Sequence, residues 1–197
     1  MNTAKSFNTR KLVLLALLTA IVVVLQLLGA FIRFGPFSIS LVLMPIAVGA
    51  ALIGVFAGGW LGMVFGLIVL TSGDAAWFLS IDPAAAIFLV FIKGILAGLA
   101  SGAVYKLIAS KSRTAAATIA AAVCPIVNTG IFVIGAHAFF LPDITAWGET
   151  LGFATGTAAI FLGMVGLNFL VELAINLILS PVIVRLIQYG QDKRAAS

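Results

Sequence analysis

The chain has 197 residues, of which 63% are hydrophobic and 9% charged, and its mean hydropathy is +1.27. Soluble globular proteins carry about 25% charged residues, so the composition excludes that class and indicates an integral membrane protein. The net charge of +5 would suit nucleic acid, but the basic residues follow membrane topology, so no nucleic-acid partner is expected. No phosphate-binding loop is present, so the chain is not expected to hydrolyse ATP.

The apolar segments predict an all-α membrane domain of six transmembrane helices over residues 1–197. A helix of about 20 apolar residues crosses the hydrocarbon core of a bilayer. The apolar run from Ile39 to Thr71 is too long for one crossing, so we divide it near Gly54, Gly58 and Gly59. The predicted helices cover residues 11–31, 39–55, 58–72, 84–108, 115–138 and 157–187.

The basic residues predict the orientation of these helices. Nine of the eleven lie near the termini or around the connection between the fourth and fifth helices. They are Lys5, Arg10, Lys11, Lys106, Lys111, Arg113, Arg185, Lys193 and Arg194. Cytoplasmic segments are enriched in Lys and Arg, so both termini are predicted to be cytoplasmic and the chain to span a cell membrane several times.

Polar residues inside the apolar segments point to a functional site. Asn168, Glu172 and Asn176 are spaced by four residues, which places them on one face of the last helix. An ionisable residue within a membrane marks a functional site by default. Lys93 in the fourth helix and Asn128 in the fifth lie at depths similar to that of Asn168, about 15 Å below the outer helix ends.

This polar layer has two interpretations. In the first, Lys93, Asn128, Asn168, Glu172 and Gln26 line a pocket that is open to the outside. Arg33 and the aromatic residues Phe34, Phe37, Trp77 and Trp147 then lie around its mouth. In the second, Lys93 and Glu172 form a buried pair, and the asparagines only fasten the helices together.

Two further features of the sequence limit the alternatives. His137 has no second ligand at a useful spacing, so no metal site is predicted, and no catalytic motif indicates an enzyme or a cofactor. Asp74 and Asp82 are interpreted as a loop residue and a helix cap.

Small residues at intervals of four predict close helix packing. Two glycine series, expected to pack within the chain, and one alanine pair show this spacing: Gly58, Gly62 and Gly66; Gly94, Gly98 and Gly102; Ala16 and Ala20. The alanine pair on the first helix could instead contact another protein.

Taken together, these segments resemble the S-components of energy-coupling factor (ECF) vitamin transporters. Ala16-Leu-Leu-Thr-Ala20 is similar to the family's A-x-x-x-A motif. The segment from Ile39 to Gly66 is similar to the riboflavin, folate and pantothenate branch, and residues 91–102 resemble the family's fourth helix. The series Asn168, Glu172, Asn176 and Pro181 looks most like that of pantothenate-type members.

The resemblance implies a specific role. An S-component captures a vitamin outside a prokaryotic cell and delivers it inward with a transmembrane coupling protein and two ATPase subunits. Ala16 and Ala20 would dock on the coupling protein. Lys93 and Arg33 would suit the carboxylate of pantothenate, although a neutral vitamin fits equally well if Glu172 neutralises Lys93. A structural or assembly membrane protein, whose polar layer only fastens helices, is the alternative.

Overall fold

The computed structural model describes residues 9–29, 33–34, 37–38, 41–179, 182–183, 186 and 189–190. Eight helices lie in these ranges, with the last one interrupted by a π-helical segment. They are α1 (Thr9–Gly29), α2 (Leu43–Leu52), α3 (Val55–Thr71), α4 (Ala76–Ile81), α5 (Pro83–Ile108), α6 (Arg113–Phe139), α7 (Leu141–Thr150) and α8 (Gly156–Ile178). Four of them, α1, α5, α6 and α8, are long and apolar enough to cross a membrane, while α2 and α3 are shorter apolar helices.

The division between α2 and α3 lies at a glycine. Gly54 has a φ of +139°, a conformation that side-chain-bearing residues rarely adopt, and it is the N-cap of α3. The sequence predicted the third helix to begin at residue 58, which is wrong, because Val55 already belongs to α3. The first residues of the expected second helix also differ, since α2 begins only at Leu43.

Two of the connections that were predicted to be outward loops contain short helices. The connection between α3 and α5 holds α4, and the connection between α6 and α8 holds α7. Strands β1 (Arg33–Phe34) and β2 (Phe37–Ser38) pair antiparallel, with Arg33 opposite Ser38, and form a short hairpin within an otherwise all-helical fold that agrees with the predicted all-α class. Asp82 caps α5 as expected, because its carboxylate accepts a hydrogen bond from the Ala85 backbone N–H at 3.0 Å.

The glycine series bring α3 and α5 into backbone contact. A Cβ added to Gly58 would lie 2.5 Å from the carbonyl oxygen of Gly98. Gly62 and Gly94 face each other in the same way, each against the other's carbonyl oxygen. The prediction that these glycines pack within the chain is confirmed, and the contact fixes α5, which carries Lys93, against α3.

Two apolar clusters surround the middle of the molecule. The larger one joins α1, α2, α3, α5 and α6 around buried residues such as Leu43, Ile46 and Leu61. The smaller one joins α4, α5, α6, α7 and α8 around Phe78, Phe140 and Ile160. The space between the helices of these two clusters holds the polar residues described next.

The last helix departs from the sequence expectation. Gly156–Ala158 and Gly166–Ile178 are α-helical, whereas Ala159–Val165 form a π-helix. The predicted helix over residues 157–187 therefore has a wide turn near its N-terminal end. Leu179 is a turn residue that caps this helix, residues 182–183, 186 and 189–190 are helical, and the remaining predicted residues lie outside the described ranges.

Candidate functional site

A cavity of about 100 Å³ lies between six of the helices, enough for several water molecules. Its wall combines four phenylalanine rings with charged and amide side chains, a mixture typical of small-molecule sites. The aromatic and polar lining residues are Gln26, Phe65, Asp74, Phe78, Lys93, Asn128, Thr129, Phe132, Asn168, Phe169 and Glu172. Five of the predicted site residues, Gln26, Lys93, Asn128, Asn168 and Glu172, thus come together around one space.

Lys93 presents its ammonium group to two aromatic faces. Nζ lies 5.3 Å from the ring centroid of Phe132 and 5.8 Å from that of Phe65, both within the range of cation–π attraction. The carboxylates of Glu172 and Asp74 also attract it electrostatically. The contact between Gly62 and Gly94 lies next to Lys93 along the chain, so the backbone that carries this charge is tightly fixed.

The polar face of α8 is divided between the cavity wall and the buried interior. Asn168 and Glu172 line the cavity, and Glu172 is only 4% exposed. Asn176, one turn further along, is buried away from the cavity, and its Nδ2 donates to the backbone oxygen of Glu172 at 2.8 Å. The face predicted from the spacing is therefore polar throughout, but only its first two members reach the open space.

Three buried amide oxygens have no partner in the part of the chain that the structure describes. These are Oδ1 of Asn128, Asn168 and Asn176. A buried polar group without a hydrogen bond costs about 1–3 kcal/mol, so such groups are normally satisfied by water or a ligand. Asn128 and Asn168 both line the cavity, which makes their side chains available to a molecule that enters it.

Asp74 belongs to the cavity, contrary to its interpretation as an ordinary loop residue. It lies in the turn between α3 and α4, and its Oδ2 accepts a hydrogen bond from Nε2 of Gln26 at 2.7 Å. Gln26 is 1% exposed, so the bond ties the C-terminal part of α1 to Asp74 in the cavity wall. The signal in the sequence was weak, because an acidic residue after an apolar helix is also common in solvated loops.

The aromatic residues at the cavity differ from those expected. Trp77 lies outside the cavity wall, with its ring 4.9 Å from Phe78 and 6.3 Å from Trp147. The neighbouring Phe78 lines the cavity instead, since α4 turns that side of the helix inward. The backbones of Arg33 and Phe34 form β1, and their side chains lie outside the described residues.

His137 contacts the N-terminal end of α8. Its Nε2 lies 3.1 Å from Oγ1 of Thr157, and its Nδ1 lies 3.0 Å from the backbone oxygen of Val133. Within the described ranges, no group of three His, Cys, Asp or Glu side chains is arranged to hold a metal ion. The contact therefore fastens α6 to α8.

The alanine pair lies on the exposed surface of α1. Ala16 and Ala20 are both exposed, and so are the neighbouring Val13 and Leu17, at 63% and 57%. The buried side of α1 includes Leu18, Val22 and Gln26. One helix therefore presents a small-residue surface outward and contributes Gln26 to the cavity.

Comparison with known proteins identifies the family. The family model of the ECF transporter substrate-specific component matches residues 10–184, which is most of the chain. The chain belongs to this family. No curated protein and no solved structure gives a significant match.

Membership in this family, together with the four long apolar helices, makes the chain a multi-pass membrane protein and the substrate-specific subunit of an ECF transporter. Such S-components bind a small-molecule substrate and act with the other subunits of an ECF module, and they are not themselves enzymes.

Proposed function

We propose that this S-component captures a vitamin in the cavity between α1, α3, α4, α5, α6 and α8, with pantothenate as the lead substrate. The transporter would reside in the plasma membrane of a prokaryote, with six helices crossing it and both termini inside. The cavity would then open to the outside, because Gln26, Lys93 and Asn128 lie in the outer halves of their helices by this orientation and Asn168 lies near the middle of α8.

The polar residues of the cavity suit the groups of pantothenate. Lys93 would bind the carboxylate, since charge-assisted hydrogen bonds are stronger than neutral ones. Asn128 and Asn168 would bind the amide and hydroxyl groups, and Glu172 would accept a hydroxyl hydrogen bond. Gln26 would position Asp74 through the 2.7 Å hydrogen bond. Arg33, Phe34 and Trp77 remain predicted contacts at the mouth of the cavity.

The amide oxygens of Asn128 and Asn168, which have no partner among the described residues, carry this proposal. A polar layer that only fastens helices would satisfy its own hydrogen bonds, because unsatisfied buried groups weaken a fold. Here Asn128 and Asn168 line the cavity, and each has an amide oxygen with no hydrogen-bond partner in the described ranges. The alternative, a structural protein, predicts that Lys93→Met combined with Glu172→Leu leaves the protein intact and that no ligand binds.

Transport would depend on partner subunits. We propose that Ala16 and Ala20 dock on the transmembrane coupling protein, since their exposed surface allows the close approach of another helix. Two ATPase subunits would hydrolyse ATP. The S-component itself would need no cofactor, and the lipid bilayer would surround its remaining apolar surface.

Native mass spectrometry of protein purified from rich medium tests the binding function directly. We expect a stoichiometric ligand of vitamin size, identified by extraction after denaturation. A second experiment measures the thermal stability of ligand-free protein with a panel of B vitamins, and pantothenate should give the largest increase. Stabilisation by a different vitamin would overturn the pantothenate assignment alone. No ligand and no stabilisation by any vitamin would favour the structural alternative.

A further inference from the structure

The π-helical segment of α8 lies directly before the residues that line the cavity. Ala159–Val165 form this segment, and Met164 and Val165 at its end already belong to the cavity wall. π-helical turns are rare and often occur at functional sites. Because the segment separates the outer end of α8 from Asn168 and Glu172, its geometry determines how these two side chains are turned relative to that end.

The outer end of α8 is fixed to the rest of the molecule. Thr155 caps it by accepting a hydrogen bond from the Ala158 backbone N–H at 3.1 Å, and Thr157 contacts His137. A Cβ added to Gly148 of α7 would lie 2.6 Å from Cβ of Ala159, so α7 packs closely on the same end. If the π-segment changed its helical geometry, the outer end of α8 would therefore stay in place and the inner half would rotate.

Gly166 allows the wide turn because it has no Cβ. A Cβ at this position would lie 2.7 Å from the carbonyl oxygen of Phe161, five residues earlier. That separation is the interval of π-helical hydrogen bonding, so the carbonyl occupies this space because the turn is wide. Any side chain at position 166 would press on backbone, which cannot move aside as a flexible side chain can.

We infer that Gly166 and the π-segment set the rotation of the inner half of α8, so that Asn168 and Glu172 face the cavity. The segment accommodates one more residue than an α-helix would over the same length. If it became α-helical with all its residues kept, the inner half would rotate by about 100°, the rotation per residue of an α-helix. Gly166 is thus a positioning residue for the site, and this inference rests on the proposed function of that site.

Accessibility of a cysteine at position 168 measures the register without any vitamin. The experiment uses Asn168→Cys with Cys124→Ala, purified in detergent and labelled with a hydrophilic methanethiosulfonate reagent. We expect efficient labelling from the cavity. Adding Gly166→Ala should reduce the labelling rate by roughly an order of magnitude, because the rotated cysteine no longer faces the open space. Unchanged labelling would overturn the inference.

A deletion provides the rescue. Leu162 lies within the π-segment and is 71% exposed, so its removal costs little packing. Deleting Leu162 should allow an ordinary α-helix with the inner register retained, so the deletion combined with Gly166→Ala should restore labelling. Failure of this rescue would also overturn the inference. Gly130→Ala is the matched control, since a Cβ there meets nothing within 4 Å, and it should label like the parent.

Pantothenate binding to the same glycine variants, with Asn168 retained, separates this inference from the proposed function. We expect Gly166→Ala to lose binding and the deletion to restore it. If labelling follows the expected pattern while the unmodified protein binds no pantothenate, the inferred role of Gly166 in setting the helix rotation is supported and the substrate assignment fails. If pantothenate binds equally to the Gly166→Ala variant with reduced labelling, Asn168 and Glu172 do not position it, and the inferred role of Gly166 is wrong.

Discussion

At the scale of single residues, Asn128 should combine a cost to stability with a benefit to the proposed binding. It is 6% exposed, its Oδ1 has no partner among the described residues, and it lines the cavity. Leucine has the same number of side-chain heavy atoms in the same branched arrangement and no polar atom. We expect Asn128→Leu to stabilise the ligand-free protein by about 1–3 kcal/mol, the cost of an unsatisfied buried group. The same change should abolish stabilisation by the vitamin, measured by thermal unfolding in detergent.

Ser101→Ala is the matched control for this experiment. Ser101 is also buried, but its Oγ donates to the backbone oxygen of Ala120 at 2.9 Å, and it does not line the cavity. Its removal should destabilise the protein by about 1 kcal/mol, the usual net worth of a hydrogen bond, and leave the vitamin response unchanged. A ligand-free Asn128→Leu protein less stable than the parent would contradict the prediction.

Lys93 distinguishes a carboxylate ligand from a neutral one. Lys93→Met keeps most of the apolar stem beside Phe65 and Phe132 and removes the charge. A hydrogen bond to a charged group contributes about 1.5–3 kcal/mol, so pantothenate affinity should fall by about tenfold to more than a hundredfold. Isothermal titration calorimetry measures this directly. Unchanged affinity for pantothenate would show that Lys93 does not bind the carboxylate.

At the scale of helices, the glycine contacts between α3 and α5 should control stability. Gly62→Ala would place a methyl group against the backbone carbonyl of Gly94, which side-chain rearrangement cannot relieve. We expect a loss of at least about 1–3 kcal/mol, the usual cost of overpacking, measured by thermal unfolding in detergent. Gly130→Ala, with open space around the new Cβ, should be neutral or slightly stabilising. Equal stability of both variants would contradict this packing.

The sequence predicted these glycine contacts because a spacing of four residues is visible without a structure. It also predicted that polar residues from four helices meet, since depth along an apolar helix follows from counting residues. It could not predict the π-segment, because the sequence of Ala159–Val165 is as apolar as any membrane helix. Whether such residues form an α- or a π-turn depends on tertiary contacts, including those of Gly148 and His137 with the N-terminal end of α8.

Short polar connections were harder to interpret than long apolar helices. Asp74 and Phe78 lie in a stretch whose sequence is typical of a loop. Their place in the cavity depends on how α4 packs on α5. Trp77 and Phe78 are adjacent aromatic residues, so composition alone cannot show which one faces inward. The charged and amide side chains of the cavity wall were therefore predictable on the long helices, whereas Phe132 and Phe169 on those helices, like Phe78 on α4, were not.

At the scale of the whole molecule, the proposed binding site and the proposed coupling surface are separate. The cavity lies among the helices, whereas Ala16 and Ala20 lie on the outside of α1. Gln26 faces inward on the same helix and contacts Asp74 in the cavity wall. A change at the outer face of α1 should therefore affect transport without affecting capture of the vitamin, and a change in the cavity should affect both.

Ala16→Trp and Ala20→Trp together test this separation. Two bulky rings on the exposed face should prevent close helix approach, so uptake of labelled pantothenate should be lost in cells that also produce the coupling protein and ATPases. Pantothenate affinity of the purified S-component should stay within about twofold, because the rings point away from the cavity. Ile119→Trp, on an exposed position of α6 (43%), controls for a bulky ring at a lipid-facing surface and should leave uptake intact. Normal uptake in the double variant would place the coupling surface elsewhere, whereas loss of affinity would mean that α1 transmits the change to Gln26.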